Sequence, residues 1–234
     1  MRTKSLFSAV ACLALVAGAA LAQSKPTVAV IYFTNSAIGA ANADLNPLSK
    51  GVADLLISSL SANSNIRVVE RDRIQAVLDE QKLATDGKLD NATTVKVGKI
   101  VGAHHMITGV FVTEKSGAMR LSARVFNVET TEIEQGDFSV MGKTEAIMPL
   151  IDALGAKINS GLKLPAIPAQ AREEHAAAAK KQEKVPFQAV MLYSRALDEK
   201  DHGNKEKAIT LFKQSIAAFP SYEAPQTELK KLEK

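Results

Sequence analysis

Thr27-Val-Ala-Val-Ile-Tyr-Phe33 decides the fold class. Apolar, largely β-branched or aromatic residues follow one another there almost without interruption, as in a central strand covered on both faces rather than one with a wet side. A strand of that kind needs helices on either side of its sheet. Residues 35–46 read as a loop, and Pro47 sits in the first turn of a helix, where proline is tolerated. Leu48, Val52, Leu55, Leu56 and Leu60 then follow at helical spacing.

The next segments supply the rest of the layer. Residues 63–65 break the first helix and 66–69 make a second strand. Asp72 is placed to cap a helix whose inner face is Ile74, Val77 and Leu78. After a loop around Gly87, Asn91 or Thr93 opens a helix carrying Val97, Ile100 and Val101, and Gly102 stops it. Three strands are predicted at 105–113, 119–128 and 132–141. In the middle one Leu121, Ala123 and Val125 alternate with Arg120, Ser122 and Arg124, the signature of a sheet with one solvated side. The connections at 114–117 and 129–131 are short enough to make both joins antiparallel. A helix over 144–162 closes this unit through Ile147, Leu150, Ile151, Leu154 and Ile158.

The composition changes at Leu164-Pro-Ala-Ile-Pro168. The Ala-rich stretch 171–181 has strong helix propensity and almost no apolar face, so it reads as a spacer. Residues 185–234 form an all-helical unit too small to bury an independent core, and it should need packing against something else. The expected organisation is therefore a leader at 1–22, an α/β domain at 25–163, a linker at 164–184 and a helical module at 185–234.

Basic Met1-Arg-Thr-Lys4, the apolar run 6–16 and Ala20-Leu-Ala22 have the form of a secretory signal peptide cleaved after Ala22. Cys12, the only cysteine, lacks a leucine-like residue three positions earlier, and the apolar run continues past it, which argues against lipidation. A periplasmic chain without disulfides or thiol chemistry follows. Taking Arg2 and Lys4 from the 29 basic residues leaves 27 against 25 acidic ones, with the signs interleaved as in Glu70-Arg-Asp-Arg73. Such a surface does not favour nucleic acid.

Four segments, in order, carry a resemblance: Thr27-Val-Ala-Val-Ile-Tyr-Phe-Thr-Asn35, Val68-Val-Glu-Arg-Asp-Arg-Ile74, Leu78-Asp-Glu-Gln-Lys-Leu83, and Val97-Gly-Lys-Ile-Val-Gly-Ala103 with Ile107-Thr-Gly109. Over about 27–161 the chain resembles the curli production and transport (CsgG-like) family and, in architecture, the N-terminal domain of TolB-type periplasmic proteins. The resemblance implies an α/β fold, a mixed sheet flanked by helices, at work in the cell envelope. Channel members of that family form rings and push two long hairpins into the outer membrane. Each membrane strand needs roughly 9–11 residues, and the turns at 114–117 and 129–131 leave no room for them. The tail resembles a tetratricopeptide (TPR-like) repeat, with Ala189, Ala196, Gly203, Ala208, Phe212 and Pro220 at its small, turn, aromatic and proline positions. One repeat cannot complete its own apolar face, so its neighbour should be the 171–181 segment, the first domain or another chain.

No catalytic constellation, cofactor loop or metal-ligand spacing stands out. His104 and His105 are adjacent on a strand and must point to opposite faces, so a hydrogen-bonded structural role suits them better than a shared metal. Glu70-Arg-Asp-Arg73 reads as a helix start with paired arginines. The expectation is a non-catalytic envelope scaffold or accessory that binds proteins or peptides, with Arg195, Glu199 and Lys200 on the outward side of the module as partner-binding residues. Self-association and peripheral membrane association stay open, and the alternative is a ring-forming outer-membrane channel component.

Overall fold

The computed structural model describes residues 25–36, 40–83, 89–114 and 116–233; the leader at 1–22, Cys12 and the Gly87 loop lie outside them. Five strands, β1 (Thr27–Asn35), β2 (Arg67–Val68), β3 (His105–Thr113), β4 (Ala118–Asn127) and β5 (Ser139–Lys143), form one mixed sheet in the order β2-β1-β3-β4-β5. The first two pairings are parallel and the last two antiparallel. Central β1 is buried from Thr27 to Phe33, as its apolar run requires.

Helices α1 (Leu48–Ser61) and α4 (Ile147–Gly161) cover one face of the sheet, and α2 (Arg71–Glu80) and α3 (Asn91–Val101) cover the other. The second core is closed by Ala29, Ile31, Ile74, Val97, Met106 and Phe126. The Asp90 carboxylate accepts the Thr93 N–H at 2.7 Å and so caps α3, while Gly102, with φ of +70°, ends it in the left-handed conformation that glycine adopts without strain.

Two local expectations need correction. Asp72 lies inside the first turn of α2; the capping position belongs to Glu70, whose side chain makes no capping bond. The last strand is regular only over Ser139–Lys143, although Ile133 still bridges Phe126. Between these two pairings the register slips by two residues across 135–137, where Gly136 and Asp137 interrupt the apolar pattern.

The remaining helices are α5 (Ala169–Gln182), α6 (Phe187–Asp201), α7 (Lys205–Ala218) and α8 (Glu223–Leu232). No residue of α5 is buried, in keeping with its lack of an apolar face. Helices α6 and α7 form an antiparallel hairpin, and their inner residues Ala189, Val190, Tyr193, Leu197 and Phe212 belong to the same apolar cluster as Val52, Leu56 and Phe111. The first domain thus supplies the surface that the small helical unit lacks, and α1 is packed on both sides.

Candidate functional site at the junction of the two units

Gly51 makes the close approach of α1 to α6 available. A Cβ there would sit 1.9 Å from Ser194 Oγ and 2.9 Å from its Cβ, so any side chain would drive the helices apart. Ser194 is itself fixed by donating to the Val190 carbonyl at 2.8 Å. One turn along α1, Asp54 accepts a hydrogen bond from the Tyr193 hydroxyl of α6.

Charged side chains from four helices lock the contact. Asp201, 4 % exposed, accepts from Lys50 at 2.6 Å and from Arg71 at 2.8 Å. Arg71, 7 % exposed, also lies 3.1 Å from Asp72 and 3.7 Å from Asp54. Lys200 spans the junction from α6, donating to Asp72 at 2.9 Å and to Glu228 at 2.6 Å, and Lys231 joins Glu228 at 2.7 Å. Burial alone would favour the neutral form of Arg71; the adjacent Asp201, Asp54 and Asp72 carboxylates outweigh it and hold the guanidinium charged. Burial pushes Asp54 up, with the Tyr193 hydroxyl and Arg71 opposing it. Burial and the nearby Asp54 charge push the Tyr193 and Tyr222 hydroxyls far up, so both stay protonated.

A cleft of about 320 Å³ opens beside this lock, between α1, α4, α5 and α8. Leu55, Ile57, Met148, Ile151 and Ala178 give it apolar walls, and Asp54, Gln182, Tyr222 and Glu223 give it polar atoms. At its rim His175 lies 3.6 Å from Asp152. Such a mixture suits binding and orienting a small group or a side chain.

The three residues expected to meet a partner are dispersed. Lys200 is spent on the junction, and Glu199 accepts from Asn204 at 2.6 Å across the α6–α7 turn, with Lys207 3.8 Å away. Arg195 is exposed. The Glu70-Arg-Asp-Arg73 segment holds the two units together through Arg71 and Asp72. His104 accepts the Thr27 N–H at 2.9 Å, the structural role anticipated for it, and His105 faces Glu134 at 3.6 Å. Among the described residues, no group of three or more His, Cys, Asp or Glu is arranged to hold a metal, and no helix is long and apolar enough to cross a membrane. Asp54, Tyr193 and Tyr222 escaped sequence reasoning. The signal available for Asp54 is an acidic residue three positions after Gly51, in a helix whose other charged residue is Lys50.

The family model described as curli production assembly/transport component CsgG matches residues 11–137, more than half of the chain. Among solved structures, the LpoB C-terminal domain from Salmonella enterica aligns with 18 % identity and a TM-score of 0.40 over 51 % of this chain and 82 % of that one. A PelC dodecamer from Paraburkholderia phytofirmans aligns with 12 % identity and a TM-score of 0.36 over 60 % and 89 %. TolB from Acinetobacter baumannii aligns with 10 % identity and a TM-score of 0.30 over 70 % and 29 %. Comparison with curated proteins gives no match.

Proposed function

Because this chain belongs to the CsgG family of curli production assembly/transport components, we propose that it is a non-catalytic accessory of the cell envelope that binds other envelope proteins, its sheet domain and TPR-like tail acting as one rigid body. The observation that carries this reading is the shared core: Tyr193, Leu197 and Phe212 of the tail are buried with Val52 and Leu56 of α1. A tail built into the domain in this way presents its outer surface and the junction cleft in a fixed relation, so a partner meets a preorganised face.

Pore formation is the less favoured reading. Strands β3 and β4 pair with each other from His105↔Asn127 to Thr113↔Met119, and Leu121 and Val125 are buried in the core under α1 and α4. Those residues serve the folded sheet, and only residues 114–117 join the two strands, far fewer than two membrane-crossing strands require. The leader expected at 1–22 would deliver the chain to the periplasm. In-cell crosslinking of the full chain, followed by envelope fractionation, tests the proposal. Crosslinks to a second envelope protein are expected, and a detergent-extracted ring that conducts ions across a lipid bilayer would refute it.

A further inference from the structure

Three acceptors in the junction cleft have unspent capacity. The Tyr222 hydroxyl, on a residue 1 % exposed, and Gln182 Oε1 are buried without a hydrogen-bond partner among the described residues. Asp54 is bonded by Tyr193 through Oδ2, while its Oδ1 has Arg71 Nε only at 3.7 Å, beyond hydrogen-bond reach. All three residues line the same cavity. Leaving buried polar atoms unpaired is costly, so a donor that reaches Gln182 Oε1 and the Tyr222 hydroxyl from this cavity is favoured.

The charges at the cleft select the kind of donor. Glu228 is neutralised by Lys200 and Lys231, and Asp152 faces His175. Glu223 has no ion-pair partner among the described residues and Asp54 shares Arg71 with Asp201 and Asp72, so acidic side chains outnumber cations along the lining. An ammonium carries three N–H donors and one positive charge, which matches both the acceptors and the sign. Leu55, Ile57, Met148 and Ile151 would cover an aliphatic stem, and about 320 Å³ suits one long side chain better than a larger ligand.

We propose that the cleft between α1, α4, α5 and α8 binds a primary ammonium on an aliphatic stem, the chemistry of a lysine side chain offered by a partner protein. The assignment of the lysine to a partner protein rests on the partner-binding reading above; the ammonium site itself rests on the cavity. Titration calorimetry on the full chain tests it with three probes: the peptide acetyl-Gly-Lys-Gly-amide, its norleucine counterpart and n-butylamine. The lysine peptide is expected to bind, the norleucine peptide to fail, and butylamine to bind more weakly than the lysine peptide. Tyr222→Phe and Asp54→Asn should each weaken the lysine peptide about tenfold, and Tyr222→Phe should not lower thermal stability, because its hydroxyl has no partner to lose.

Equal binding of the norleucine peptide, no binding by any probe, or full affinity in a correctly folded Tyr222→Phe variant would overturn the site. Butylamine binding as tightly as the peptide would overturn the partner-protein source. A chain that crosslinks to an envelope partner yet ignores the lysine peptide would sink the cleft assignment alone. The reverse pattern would sink the accessory reading alone.

Discussion

Replacing Asp201 by alanine should loosen the junction more than any other single charge removal. Its carboxylate is 4 % exposed and receives both Lys50 and Arg71, so its loss leaves the Arg71 guanidinium, 7 % exposed, without its two 2.8 Å bonds. Removing one partner of a buried pair costs about 3–5 kcal/mol. Here the lower end applies, because Asp72 stays 3.1 Å from Arg71 and is itself 42 % exposed. At roughly 2–4 °C per kcal/mol for a chain of this size, about 3 kcal/mol lowers the melting temperature by about 6–12 °C. Urea unfolding followed by circular dichroism, repeated on Arg71→Ala and on the double variant, completes a mutant cycle. The two changes should be non-additive by about 1–3 kcal/mol, since the double variant does not leave a buried Arg71 facing a missing Asp201. A loss below about 1 kcal/mol, or strict additivity, would refute the view that this buried network joins the units.

Further outcomes follow from the same geometry. Gly51→Ala should cost about 1–2 kcal/mol in thermal unfolding, because crowding against Ser194 exceeds alanine's helix advantage, and adding Ser194→Gly should recover part of it. Phe212→Ala, removing a fully buried ring 5.8 Å from that of Tyr193, should cost about 3–5 kcal/mol and destabilise α1 along with the tail in hydrogen exchange. Burial depresses the His105 imidazole below its ordinary value of 6.5, Glu134 opposing only in part. The unfolded chain therefore binds that proton first, and stability should fall as pH drops through 6.5; His105→Gln should flatten that part of a pH series of unfolding curves.

Much of the fold is written locally. The apolar run 27–33 fixed a buried central strand, Pro47 and the leucines after it fixed α1, and the alternation around Arg120, Ser122 and Arg124 fixed β4. Gly102 ended α3 through its backbone conformation, a property of the residue itself. The register slip near Gly136 was hidden, because strand patterning reports which face a residue takes and not which partner it meets. The site was least legible of all. Asp201, Arg71 and Asp54 are far apart in sequence and acquire a common role only through the packing of α6 on α1 and α2. Lys200 looked like a surface lysine for the same reason, since nothing near it in the chain announces Asp72 or Glu228 as its partners.

Native-state hydrogen exchange of the full chain tests most directly whether sheet domain and tail are one body. Amides at the centres of α1 and α6 should share one opening free energy, equal to that of global unfolding, and lose protection together in rising denaturant. Exchange of α6, α7 and α8 through a separate, lower-energy opening, with α1 still protected, would contradict the account.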